Sequence, residues 1–109
     1  MSASTLDTRI QEALELSEAG QAEGLEQLVK LCQEHPDSAC VWRARAQAEG
    51  ELGQGEDALH SINRALQMAP ADPENWGLKA EILLDLDRTE DALCALDTGL
   101  DKVPEDPDL

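Results

Sequence analysis

A repeat of fixed length dominates this sequence. The segment EDAL at residues 56–59 returns at residues 90–93, and Trp42 returns as Trp76, so both recur with a period of 34 residues. One period before the first EDAL stands a weaker copy, AEGL at residues 22–25. Self-similarity at a period of this size is typical of stacked copies of one supersecondary unit. The sequence therefore predicts an array of similar units rather than one irregular core.

Within each copy the apolar residues recur at helical spacing, which predicts two amphipathic helices. The glycine-containing turn at 53–55 separates the two helices of the middle copy. Pro36, Pro70 and Pro104 end the second helices, since proline cannot continue a helix interior. We expect three helix–turn–helix hairpins over residues 5–38, 39–72 and 73–106, within a single domain spanning 1–109.

The last residues repeat a helix start signal. Asp72-Pro73-Glu74 offers an N-cap carboxylate followed by proline at the first helical position, and Asp106-Pro107-Asp108 has the same form. Residues 107–109 would then begin a further helix or form a tail. Because a helical array needs a polar cap over its last apolar face, two interpretations stand. The chain is a piece of a longer protein, or it covers that face by self-association.

Composition excludes several classes of partner. The formal net charge is −16, which argues against nucleic acid and anionic membranes, because both attract Lys and Arg. No apolar run is long enough to span a bilayer, and residues 1–7 do not have the pattern of a signal peptide. Three cysteines, an odd number, do not form a disulfide framework. They favour a reducing cytoplasm.

At the level of single positions the repeat resembles the tetratricopeptide repeat (TPR) family. Its unit has a large aromatic, a small residue, a turn glycine, then alanine, a bulky apolar residue, alanine and proline. The middle copy supplies Trp42, Ala46, Gly53, Ala58, Ile62, Ala65 and Pro70 at those places. The third copy supplies Trp76, Ala80, Ala92, Leu96 and Pro104, but has Asp87 for the turn glycine and Gly99 for the later alanine. The first copy is weakest. It has Thr8 in place of the aromatic, Glu12 in place of the small residue and Gly24 in place of the first alanine, although it keeps Leu28 and Pro36.

The resemblance implies an all-α fold, a right-handed α-solenoid whose inner surface is lined by the first helix of each hairpin. It also implies that a partner peptide contacts five positions in each copy, numbered two, five, nine, twelve and thirteen. By position these are Leu6, Arg9, Ala13, Leu16 and Ser17; Cys40, Arg43, Gln47, Gly50 and Glu51; and Glu74, Gly77, Glu81, Leu84 and Asp85. This surface would be cationic and apolar towards the N-terminus and anionic towards the C-terminus.

Two arginines of this set support opposite interpretations. Arg9 and Arg43 are one full period apart, and Arg43 has no carboxylate three or four residues away in its own helix. They would therefore form adjacent rungs that hold an acidic residue or terminal carboxylate of a peptide. Alternatively, Arg43 neutralises acidic side chains of the neighbouring hairpin. By contrast, Arg45 has Glu49 at a favourable helical distance for an ion pair.

No motif indicates catalysis. The glycines at 53–55 lack the lysine of a phosphate-binding loop, and the abundant carboxylates lie on expected exposed faces. Cys32, His35 and Cys40 do not have a zinc spacing and lack a fourth ligand. We therefore predict no catalytic residue, cofactor or metal. The leading interpretation is a non-catalytic module that binds a protein segment. The alternatives are the leading segment of a larger enzyme and a structural scaffold that dimerises through its final hairpin.

Overall fold

The computed structural model describes residues 2–102, with side chains from Leu6 onward. All regular elements in that part of the chain are helices: α1 (Ser2–Glu18), α2 (Ala22–Glu34), α3 (Ala39–Glu51), α4 (Gly55–Met68), α5 (Pro73–Asp85) and α6 (Thr89–Lys102). They pack as the pairs α1–α2, α3–α4 and α5–α6. The predicted all-α fold is confirmed. The second start signal, at 106–108, lies outside the described residues.

The first helices of the hairpins form one layer. In addition to the hairpin contacts, α3 lies against both α1 and α5. The second helices, in the described chain, make no close backbone contacts with one another and reach the next hairpin only through its first helix. The chain is therefore a short solenoid, with α1, α3 and α5 on the same side.

The second helices α2 and α4 each pack an apolar stripe on the first helix of the next hairpin. Leu28 and Leu31 of α2 are buried in one cluster with Val41 of α3, and Leu66 of α4 is buried in another with Trp76 of α5. Burying one such side chain is worth roughly 1.5–3 kcal/mol. These contacts join the hairpins into one body.

The two tryptophans anchor the turns that precede their own helices. The indole N–H of Trp42 donates to the carbonyl oxygen of Pro36 at 2.9 Å, and that of Trp76 donates to Pro70 at 2.7 Å. Because the ring is apolar and the N–H is satisfied, each indole fills space between helices without leaving an unpaired donor. Each bond fixes the path of the chain from one hairpin to the next.

A buried carboxylate lies between the first and second helices of the middle hairpin. Glu49 is only 3% exposed, and it accepts a hydrogen bond of 2.5 Å from the Ser61 hydroxyl. Its other oxygen is 3.5 Å from Arg45 Nε, which confirms the predicted pair. The guanidinium of Arg45 also stacks 5.2 Å from the centre of the Trp42 ring. A buried charge requires such partners, so this network is part of the core.

Counted from the positive-φ residue to the position shared by Gly24, Ala58 and Ala92, the turn of the first hairpin is one residue shorter than the others. Gly20 and Gly53 both have a positive φ, 82° and 79°. The backbone amide of the residue after each glycine donates to the carbonyl oxygen five residues earlier, at Leu16 and at Glu49. The step from Gly20 to Gly53 is thus one residue short of the full period. Asp87, also with positive φ, follows Gly53 by one full period of 34 residues. Residues of α1 therefore correspond to those of α3 at a spacing of thirty-three rather than thirty-four.

This shorter turn brings α2 close to α1 at Gly24, where the later copies have alanine. The Gly24 amide bonds to the residue three back, whereas the equivalent amides of Ala58 and Ala92 bond four back. A Cβ on Gly24 would lie 2.7 Å from the Ser17 amide nitrogen and closer still to the carbonyl oxygen of Ala13. Only glycine fits without moving a helix.

We expect Gly24→Ala to lower the free energy of unfolding by about 1–3 kcal/mol, because the methyl group meets backbone that cannot rotate away. Gly77→Ala is the matched control. A Cβ there meets nothing within 4 Å, and alanine favours an α5 interior by up to about 1 kcal/mol. Urea unfolding followed by circular dichroism measures both, and equal stability of the two variants would contradict the close approach.

Candidate functional site

A groove runs along the first helices of the hairpins. One cavity of about 540 Å³ lies between α3 and α5, and a second of about 340 Å³ lies between α1 and α3. Both are lined by Arg43, Gln47 and Glu74, so they form one continuous depression. We call it the inner groove.

Most of the predicted contact residues of the second and third hairpins line this groove. They are Cys40, Arg43, Gln47, Gly50, Glu51, Glu74, Gly77, Glu81 and Asp85. Leu84 is exposed but lines neither cavity. Sequence reasoning missed Leu78 and Ile82, which form part of the apolar floor.

The predicted residues of the first hairpin lie elsewhere. Arg9 faces α2, where its guanidinium is 3.2 Å from the Glu34 carboxylate, in a small cavity with Gln27 and Lys30. Ala13 is fully buried. The side chain of Leu6 packs on the first core cluster, and Leu16 lies close to Gly24. The prediction that Arg9 and Arg43 form adjacent rungs was wrong.

The residues of α1 that do line the groove are Asp7, Ile10, Gln11 and Leu14. The cause is the shorter turn, because one residue corresponds to about 100° of rotation around a helix. Subtracting 33 from Cys40, Arg43 and Gln47 gives Asp7, Ile10 and Leu14, whereas subtracting 34 gives the predicted set. The spacing of the two turn glycines was the signal that could have corrected the alignment.

Arg43 is held by carboxylates of the next hairpin. Its Nη1 is 3.0 Å from Asp72 Oδ2, and its Nη2 is 3.4 Å from Glu74 Oε2. The other oxygen of Asp72 caps α5 by accepting from the Glu74 amide at 2.9 Å. The alternative interpretation of Arg43, neutralisation of a neighbouring hairpin, matches this geometry. The arginine joins α3 to the start of α5 and does not present an unpaired guanidinium to a ligand.

Carboxylates outnumber cations along the groove. Asp7, Glu51, Glu74, Glu81 and Asp85 line it, with Arg43 as the only cation among its described lining residues. Since two nearby carboxylates already share that arginine, the remaining charge is negative. The electrostatics of the groove therefore favour a positively charged segment.

The pKa of Glu51, in the groove, is perturbed. Burial raises the pKa of Glu51 above its ordinary value of 4.5, and the nearby charge of Glu18 raises it further. A hydrogen bond from the Ser17 hydroxyl, at 3.3 Å, lowers the pKa in opposition. This contact links the ends of α1 and α3 on the groove side.

The cysteines do not assemble a metal site. Cys32 is buried in the core, where burial raises the pKa of its thiol, while Cys40 is exposed. Over the part of the chain with described side chains, no group of three or more His, Cys, Asp or Glu could hold a metal ion. In the same part, none of the helices combines the length and the apolar character that crossing a bilayer requires.

Comparison with known families agrees with this architecture. The model described as the tetratricopeptide repeat matches residues 51–109, which is more than half of the chain. The chain belongs to the tetratricopeptide repeat family. TPR domains typically mediate protein–protein interactions. A search of curated proteins found no match. The match begins at the last residue of α3. The assignment of α1, α2 and the rest of α3 to TPR hairpins therefore depends on their helical geometry.

The Glu51 contact predicts opposite effects of two substitutions. Ser17→Ala removes the donor that favours the charged form, so we expect the pKa of Glu51 to rise further. Glu18→Gln removes the repelling charge, so we expect that pKa to fall. A carbon-13 titration of the Glu51 carboxyl measures both, and a shift in the same direction for the two variants would contradict the assignment.

The raised pKa also sets a pH dependence. Because the folded chain binds the Glu51 proton more tightly than the unfolded chain, this group's contribution to stability falls as pH rises from 4.5 through the folded pKa. We expect Glu51→Gln to gain stability relative to the parent at neutral pH and to lose that gain at low pH. Thermal unfolding across this range measures the difference.

Proposed function

We propose that this TPR domain is a non-catalytic module whose inner groove binds a basic segment of a partner protein. The observation that carries the proposal is the unbalanced negative charge along a continuous depression between α1, α3 and α5. A lysine or arginine of the partner would enter between Glu81 and Asp85 of α5 and Glu51 of α3. Arg43, already paired with Asp72 and Glu74, would hold the start of α5 against α3.

The groove also has apolar surface that charge alone does not explain. Ile10 and Leu14 line its α1 end, and Leu78 and Ile82 line its α5 side. A segment that alternates basic and apolar side chains would contact both kinds of surface. Apolar contacts provide affinity, while the carboxylates steer encounter and set the preference for charge.

The acidic surface also supports a protein partner over nucleic acid, whose phosphates the groove carboxylates would repel. Two exposed free thiols, Cys40 and Cys94, suit a reducing cytoplasm. The alternative of a leading segment of a larger enzyme rests on residues 106–108 and stays a prediction, because those residues lie outside the described part.

Charge reversal in the groove tests the proposal. We expect the double variant Glu81→Lys, Asp85→Lys to bind a fluorescent Lys/Leu-alternating peptide on the order of tenfold more weakly, because reversal adds repulsion to the lost attraction. The matched control is Glu23→Lys, Glu26→Lys, which makes the same change of net charge on exposed positions of α2. Anisotropy titrations of both variants and the parent measure the affinities.

Equal weakening by the two double variants would show attraction to net charge alone and would refute a groove site. A Glu/Leu-alternating peptide of the same length completes the test. Tighter binding of that peptide than of the basic one would also refute the proposal. Circular dichroism of each variant confirms that the helices persist.

A further inference from the structure

The last described helix, α6, exposes three leucines on one face. Leu93, Leu96 and Leu100 of α6 are 59%, 44% and 78% exposed. They recur at helical spacing and therefore form one stripe along the helix. Large apolar side chains that are exposed side by side mark a surface that another molecule covers. We call these residues the α6 stripe.

The repeat shows what shape of molecule fits this stripe. One period earlier the same positions are Leu59, Ile62 and Leu66 of α4, and there Leu66 is buried and Leu59 packed against the α5 cluster. The cover is a single helix. It contributes Leu78 and Ile82, which pack in one cluster with Ile62, and Trp76, which packs in another with Leu66. On α2 the cover is likewise one helix, α3, with Val41, Ala44 and Ala48.

The edges of the stripe differ in charge from their covered counterparts. Where α4 has Asn63 and Gln67, α6 has Asp97 and Asp101 at the corresponding positions, both exposed. The neutral amides suit an intramolecular cover, α5, in an acidic chain. Two carboxylates in their place favour a cover with lysine or arginine at its edges.

A second copy of the chain is a poor cover in either orientation. Head to tail, the stripe would meet the outer side of α1, where the shortened correspondence between α1 and α3 gives Thr8, Gln11 and Glu15 in place of Val41, Ala44 and Ala48. These three polar residues are exposed. Face to face, two copies would bring together stripes that each have Asp97 and Asp101 at their edges, between two chains that each have a formal net charge of −16. Like charges across such a contact are costly.

We propose that the α6 stripe binds one amphipathic helix of a different protein, with small and apolar residues spaced like Val41, Ala44 and Ala48 of α3 and basic residues at its edges. The surface is separate from the inner groove, because none of its three leucines lines either groove cavity. The TPR domain would then engage a partner helix at its end independently of a segment in its groove.

Three synthetic helices of about 18 residues, long enough to be helical in part, test this with the full chain. The first carries an Ala/Leu stripe with lysine edges. The second has the same stripe with glutamate edges, and the third keeps the lysines but has glutamine in place of the stripe. Amide shifts in nitrogen-15 spectra locate binding on the chain, and their titration gives the affinity. We expect the first helix to shift α6 amides and to bind at least about tenfold more tightly than either of the others.

Two sets of substitutions then assign the site. Leu96→Gln should weaken the first helix about tenfold, since an apolar contact is lost. The double variant Asp97→Asn, Asp101→Gln recreates the α4 edges and should weaken the lysine-edged helix several-fold while removing most of its salt dependence. The groove variant Glu81→Gln, Asp85→Asn makes the same change of charge and should leave the titration of the α6 amides unchanged.

Several results would overturn the inference. If the third helix bound as tightly as the first, charge attraction alone would explain the binding. If the second helix did so, the proposed preference for basic edges would be wrong. Sedimentation of the parent chain as a dimer that Leu96→Gln dissociates would assign the stripe to a second copy. Shifts confined to α3 and α5 would place the helix in the groove, leaving the proposed function intact and refuting this inference alone.

Discussion

The architecture depends on one recurring contact, the apolar stripe of a second helix packed on the first helix of the following hairpin. A hairpin alone leaves that stripe in water, and many acidic side chains repel one another in any compact form of the chain. Burial of residues such as Leu28, Val41 and Leu66 offsets that repulsion. The same contact sets α1, α3 and α5 side by side, so the groove is a consequence of how the array is stabilised.

Much of the fold could be predicted because its determinants are local and repeated. Proline at 36 and 70, glycine at 53 and the apolar spacing act within a few residues of where they stand. The error arose where a local change had a distant effect. One residue fewer in the turn after Gly20 rotates every position of α1 relative to α3, and this moved Arg9 out of the groove. The burial of Ala13, aligned with Ala46 rather than Gln47, shows the same shift.

The role of Arg43 shows why a site is harder to predict than a fold. Within its own helix Arg43 has no carboxylate three or four residues away, so the spacing of ion pairs in a helix predicts no partner for it. Its partners are Asp72 and Glu74 of the next hairpin, which only the packing of α3 against α5 brings near. Once the arginine is paired, the remaining charge of the groove favours basic rather than acidic ligands.

The outer faces of α1 and α6 are unlike, and this difference limits how copies of the chain can associate. Two apolar ends would let copies stack head to tail without limit, and two polar ends would leave only the groove for contacts. Here α1 presents Thr8, Gln11 and Glu15 outward, while α6 presents Leu93, Leu96 and Leu100. Stacking between copies would bury those leucines against polar groups at a cost in free energy. The apolar face of α6, with its acidic edges, instead favours a basic helical cover.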